Sequence, residues 1–285
     1  MSILGVDIGN FNTNTSKGVI FKSKISKVSN LLGSKYSCSL FNEEYKLGEG
    51  DFDNEFRKVN KDNYLELLFG ALALSNCDRN VDLVLGLPIS QYRADRDILI
   101  NKINEHYHLK GTLNSEQYEF YITDVEVYPE GIASVDKYYN GIVVDIGGRT
   151  TDCCLIGNHK VQHPLSIPKG TLNLYNDFIN AINNKYSLDL TTNDVDRLLR
   201  QGLKIEGERV DIKFAKDIFK DFVKNLVSQL KVEYSLKTFD VTFTGGGSLL
   251  LEGIITNILP YAEILENSLF ANAYGLKRIG EEVWG

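Results

Sequence analysis

The segment DIGNFNTN, starting at Asp7, returns as DIGGRTTD starting at Asp145, an offset of 138 residues (145 − 7) in a chain of 285. In both copies an apolar run leads in, ILGV before Asp7 and GIVV before Asp145. A Thr follows six residues after each Asp, Thr13 in one and Thr151 in the other. Further apolar runs come next, GVIF from Gly18 and CCLI from Cys153. Apolar run, Gly/Asn/Thr turn, apolar run is the pattern of a β-hairpin. A feature repeated at about half the chain's length restricts the fold to two related lobes, each opening on strand, polar tight turn, strand.

Helix and strand signals alternate within each half. Tyr64, Leu65, Leu68, Phe69 and Leu72 recur at helical spacing and predict a helix within 61–76, with Asp62 or Asn63 as its cap. VDLVLG at 81–86 predicts a buried strand, RADRDILINKI a helix, YEFYITDVEVY a strand, and 131–139 a short helix. In the second half Phe214, Ile218, Phe219, Phe222, Leu226, Val227 and Leu230 form a stripe of period near 3.6. FDVTF then reads as a strand, GGG as a turn and SLLLEGIITNIL as a helix. This is an α/β chain whose hairpins make its sheets mixed. No Pro/Ser-rich linker parts the halves, so they are expected to share a cleft.

Lys plus Arg number 31 and Asp plus Glu 38, a net charge of −7. That balance argues against a surface built to grip nucleic acid phosphates, while leaving room for contact with DNA through a partner. The N-terminal apolar run is broken at Asp7 with no basic segment before it, which reads as no secretory signal. No apolar stretch approaches the roughly 18 residues of a membrane span. Cys38, Cys77, Cys153 and Cys154 do not make a disulfide framework in a chain this long, and a reducing cytoplasm is expected. His159 and His163 follow the vicinal cysteines, but neighbouring strand residues face opposite ways, against a zinc reading.

A tight turn of Gly and small polar residues gathers backbone N–H groups into an anion-binding concavity suited to phosphate. A lone Asp-Gly turn is more simply the closure of a hairpin; its duplication favours two turns holding a polyphosphate from both sides. The candidate ligand-binding residues are Asp7, Gly9, Asn10, Phe11, Asn12, Thr13 and Asn14 in the first turn. Gly147, Gly148, Arg149 and Thr150 are their counterparts in the second. Carboxylates beside phosphates call for a cation, and Mg²⁺ uses one or two carboxylates and keeps its waters, so Asp7 and Asp145 are the metal candidates, through water. In FTGGGSLLLEGI, Gly245, Gly246, Gly247 and Ser248 stand between a strand and a helix, where a flat purine and its α-phosphate can approach the backbone.

GVDIGNFNTN, VVDIGGRTTD and FTGGGSLL, in this order, resemble the two phosphate motifs and the adenosine motif of the actin-like ATPase superfamily. Short length, VLGLPIS followed by a charged helix at 84–104, and LFANAYGLKRIGE near the C-terminus are similar to plasmid-segregation actins of the ParM kind. The resemblance implies an actin-like (ribonuclease H-like) duplicated two-lobe fold with mixed sheets and an interdomain nucleotide cleft. It implies domain I from 1–140 with 268–285 and domain II from 141–267. It also implies Glu130, in VEVYPEGIAS, as the residue that orients the attacking water, with Asp145 as its catalytic partner, and Gly170 and Thr171 as a third nucleotide-facing turn. The chain departs from the family at Asn14, where many members carry a lysine for the β- and γ-phosphates. Lys17 and Arg149 are the candidates to compensate.

The resemblance further implies an ATP or GTP hydrolase that polymerises with Mg²⁺. Its partners would be other copies of itself and a ParR-like adaptor holding plasmid centromere DNA, with no membrane involved. The alternatives are a small-molecule kinase of the same superfamily, for which 285 residues leave little room to build an acceptor pocket, and a membrane-tethered scaffold. The tail AYGLKRIGEEVWG lacks the basic amphipathic character the latter needs.

Overall fold

The structure, a computed structural model, describes residues 2–27, 35–158 and 160–285. The first half contains β1 (Ser2–Ile8), β2 (Asn12–Thr15), β3 (Ile20–Lys22), β4 (Lys24–Ser26), β5 (Ser37–Leu40), β6 (Glu43–Phe52), α1 (Tyr64–Leu74), β7 (Asn80–Leu87), α2 (Ile89–Glu105), β8 (His108–Leu113) and β9 (Glu116–Pro129). The second contains β10 (Gly141–Ile146), β11 (Thr151–Gly157), β12 (Lys160–Ile167), α3 (Thr171–Tyr186), α4 (Val195–Gln201), β13 (Leu203–Ile205), β14 (Glu208–Val210), α5 (Lys213–Glu233), β15 (Asp240–Thr244), α6 (Gly246–Ile258), β16 (Glu263–Ile264) and α7 (Ala271–Trp284).

The repeat read from the sequence is a repeat of register. β1 pairs with β2 through Val6–Thr15, Asp7–Asn14 and Ile8–Thr13. β10 pairs with β11 through Val144–Cys153, Asp145–Asp152 and Ile146–Thr151, and each of these six positions is displaced by the same 138 residues from its counterpart. The equivalence extends outward. Among the described residues one sheet runs β3-β2-β1-β7-β9 and continues into β8-β5-β6-β4, a second runs β12-β11-β10-β15-β16, and β13 pairs with β14 in a separate two-stranded ribbon. In both of the larger sheets the first two pairings are antiparallel and the next two parallel. The mixed sheets and the two-lobe architecture follow from this duplicated five-strand unit.

Each lobe has its own core. Leu4, Val6, Leu83, Leu85 and α1 dominate the first, and the buried face of α5 (Phe219, Phe222, Val223, Leu226, Val227, Leu230) dominates the second. α7 returns to the first lobe, where Leu276 meets Val84 and Ala133. Gly275 is required there, because a Cβ would overlap the carbonyl of Ala133. Cys153 and Cys154 are buried on opposite faces of β11, in different clusters. Among the described residues no group of His, Cys, Asp and Glu forms a metal cluster; His159 lies outside them. No helix of the described residues is long and apolar enough to cross a membrane.

Four local expectations are corrected. The strand that closes the first hairpin is β2, and GVIF supplies β3 one strand further out, so Asn12, Thr13 and Asn14 are strand residues. Residues 131–139 form successive turns and no helix, because Gly131 takes φ +74° and gives its N–H to the Asn272 side chain. Of the three glycines after β15 only Gly245, at φ +83°, is a turn residue; Gly246 and Gly247 already belong to α6. Asn63 occupies the N-cap of α1 without a side-chain capping bond.

Candidate nucleotide and metal site

The two hairpin turns meet between the lobes. Each is closed by the same bond, Gly9 N–H to the Asn12 carbonyl at 3.0 Å and Gly147 N–H to the Thr150 carbonyl at 2.9 Å. A Cβ on Gly148 would stand 3.0 Å from the backbone nitrogen of Phe11, so the turns are in contact. Among the described residues the N–H groups of Asn10, Phe11, Gly148 and Arg149 have no hydrogen-bond partner. Closing the turns by their first N–H leaves the next two unpaired, which is the donor pattern of an anion nest.

One cleft cavity gathers most of the candidate residues: Asp7, Gly9, Asn10, Phe11, Asn12 and Asn14 from one turn, Gly147, Gly148 and Thr150 from the other, with Glu130, Asp145, Thr171, Gly245, Gly246 and Gly247. Four candidates do not line it. Thr13 is fully buried and bonds to Ser23, and Ser248 gives its hydroxyl to the Thr244 carbonyl. Gly170 packs against the backbone of 147–149. Arg149 turns its guanidinium away, to the carbonyls of Asp53 (2.7 Å) and Asn54 (2.9 Å) in the other lobe. The start of α3 is already engaged, since Thr171 and Leu172 give their N–H groups to Gly147 and Gly148. Lys17 bonds the Asn76 carbonyl on the exposed side and does not reach the cleft.

The cation that does line the cleft is Lys58, which carries no motif and escaped sequence reasoning. Its ammonium is 3.1 Å from Asp7 Oδ1 and in direct contact with Glu130. Burial works against that charge, but Glu130 and Asp7 outweigh it and hold Lys58 protonated above the ordinary lysine range. Lys61, three residues on, is also buried and donates to the Gly9 carbonyl behind the first turn at 3.4 Å. Burial, with Lys58 nearby, pulls it down to about 7. Neither lysine belongs to an apolar or Gly-rich pattern; the signal that could have found them is two lysines three apart just before a helix.

Asp145 sits 6% exposed at the end of β10. Burial pushes its carboxyl up to about 7, opposed by a hydrogen bond from Asn272 Nδ2 to Oδ2 at 2.8 Å. Asn272 lies in ANAYG, so that segment supplies a ligand to an aspartate of the second turn. The donor set fits Mg²⁺ held through water: two carboxylates in an open cleft rather than a closed cage. Buried oxygens of Asn10, Asn14 and Asp152 on the cleft lining have no partner among the described residues, and such groups are satisfied by a polar ligand or its waters.

Residues 5–132 match the family model of the N-terminal domain of actin-like proteins. The archaeal actin homologue Ta0583 superposes with a TM-score of 0.82 at 19% identity, covering 99% of this chain and 100% of that one. Its complex with ADP gives 0.81 at 18%, with the same coverage. ParM in a 15-stranded filament from Clostridium botulinum gives 0.81 at 18%, covering 98% and 99%. The Alp12 filament gives 0.68 at 22%, covering 99% of each chain. These likenesses are of fold. No match was found among the curated proteins.

Proposed function

We propose, starting from a chain that is actin-like in its N-terminal domain and in its whole fold, that it is a nucleotide-dependent filament protein. It binds ATP, or GTP, with Mg²⁺ in the interlobe cleft, polymerises with copies of itself and hydrolyses the nucleotide. In the cytoplasm it moves plasmid centromere DNA through a ParR-like adaptor. The observation that carries the reading is the pair of hairpin turns in identical register, each with two unpaired N–H groups and one strand-end aspartate. Filaments of ParM and Alp12 and an ADP complex of Ta0583, all of this fold, support polymerisation and nucleotide binding. The adaptor follows from the ParM likeness and the charge of −7.

In this reading Asp7 and Asp145 hold the waters of Mg²⁺, which would supply charge neutralisation at the phosphates. The free N–H groups of Asn10, Phe11 and Gly148, the three such residues that line the cleft, take phosphate oxygens, and Gly245 to Gly247 let the nucleoside approach the start of α6. Glu130 orients the attacking water and accepts its proton. Domain I comprises 1–140 with 268–285 and domain II 141–267, a division supported by the packing of α7 on Val84 and Ala133.

The test is nucleotide-dependent pelleting and light scattering at micromolar protein with phosphate release followed in parallel. Polymer with phosphate release is expected, and Glu130→Ala should retain polymer while releasing phosphate more slowly. Absence of polymer under every nucleotide and salt overturns the filament reading. Transfer of phosphate to a small acceptor moves the chain to the kinases.

A further inference from the structure

The cleft is acidic where a polyphosphate would have to sit. Asp7, Glu130, Asp145 and Asp152 line it, and Lys58 is the one basic side chain among its described lining residues. An anion of several charges enters such a cleft only if cations meet it. The position paired with Asp7 across the first hairpin is Asn14, whose amide brings no charge and whose Oδ1 is buried without a partner among the described residues.

Lys58 is held in place from outside the cleft. It begins a 3₁₀ turn, Lys58–Asn60, and its own N–H is bonded to Gln91 Oε1 at 3.0 Å while Gln91 Nε2 bonds the Phe56 carbonyl at 3.0 Å. Lys102 donates to the carbonyls of Val59 (3.0 Å) and Lys61 (3.2 Å), and Arg57 pairs with Asp95. All three clamping residues, Gln91, Asp95 and Lys102, belong to α2. A turn fastened this many times delivers a buried ammonium to one point with little entropy left to lose on ligand binding. An ammonium has three donors. Two are taken by Asp7 and Glu130, and the third has no partner among the described residues.

We propose that Lys58 is the terminal-phosphate ligand of this cleft: its ammonium, held between Asp7 and Glu130, donates to the β- and γ-phosphate oxygens of a bound nucleoside triphosphate. The assignment rests on the nucleotide reading above and adds to it the residue that discriminates phosphate-chain length. Engagement of Lys58 by phosphate weakens its hold on Glu130, so the carboxylate is released to water only when a terminal phosphate is present.

The experiment is calorimetry with Mg²⁺ and three probes, a non-hydrolysable triphosphate analogue, the diphosphate and the monophosphate, in whichever purine series wild type binds. Lys58→Met should weaken the triphosphate about 10- to 100-fold, the diphosphate less, and leave the monophosphate where it was. Lys58→Arg should retain most of the triphosphate preference, and Asn14→Lys in the Lys58→Met background should restore it. Because Lys58→Met leaves the buried Glu130 and the partly exposed Asp7 without their cation, the comparison is repeated as Lys58→Met/Glu130→Gln against Glu130→Gln. Equal losses for all three probes, or none, in a folded variant overturn the assignment. Wild type that binds none of the three overturns the nucleotide reading itself, a different result from a wild type that binds and a Lys58 variant that binds equally.

Discussion

Asn272 donates its side-chain Nδ2 to Asp145 Oδ2 at 2.8 Å while its Oδ1 accepts the Gly131 N–H, also at 2.8 Å. One amide from α7 thereby orients the buried aspartate of the second turn and fixes the turn that follows Glu130. The two oxygen and nitrogen ends of an asparagine are both used, which a carboxylate or an apolar residue cannot reproduce.

Asn272→Ala should destabilise the protein by about 2–4 kcal/mol, because it strands a buried N–H and removes the donor from a buried carboxylate. Urea unfolding measures it. Nucleotide binding should weaken in the same variant through the loosened Asp145. A variant within experimental error of wild type in both would leave the Asn272 bonds without consequence.

Arg149 ties the second turn to the other lobe through the carbonyls of Asp53 and Asn54. Other contacts bridge the same side: Phe11, stacked on Phe52 of its own lobe at 5.2 Å, meets Tyr175 of the other edge-on at 5.7 Å, and Lys24 reaches Asn193 at 3.2 Å. Arg149→Met should let the lobes part more easily. The nucleotide off-rate, by stopped flow, is expected to rise roughly ten-fold for the charge-assisted bonds lost. An unchanged off-rate would reduce Arg149 to a contact with no hold on the lobes.

The buried Lys61, pulled to about 7 by burial and by Lys58, makes stability depend on pH in a defined direction. Between its folded value and the ordinary lysine range the unfolded chain binds the extra proton, so the Lys61 contribution strengthens as pH rises above 7 and is lost as pH falls through it. The slope from this one group is at most about 1.4 kcal/mol per pH unit. Chemical denaturation of wild type and Lys61→Met from pH 6 to 9.5 isolates it: the difference, wild type minus Lys61→Met, should grow toward high pH. A difference flat across that range would mean Lys61 keeps its charge through contacts other than the Gly9 carbonyl.

The sequence by itself determined the two lobes, the strand–turn–strand units at Asp7 and Asp145, and most of the cleft lining, because these rest on local patterns. Apolar runs, glycine turns and a helical stripe such as Phe219 to Leu230 are decided by neighbours along the chain. It misjudged 131–139, where a helical stretch gives way to turns once the Gly131 N–H is taken by Asn272, 141 residues distant. Ser248 and Thr13 lie inside the motifs that suggested them, but motif membership does not say which face a side chain takes, and both turn into the core. Lys58, Lys61 and Asn272 were decided by tertiary structure alone. A buried ammonium is tolerable only beside Asp7 and Glu130, and those neighbours, 51 and 72 residues from Lys58, come together only when the sheet has formed and α2 has clamped the turn that carries it.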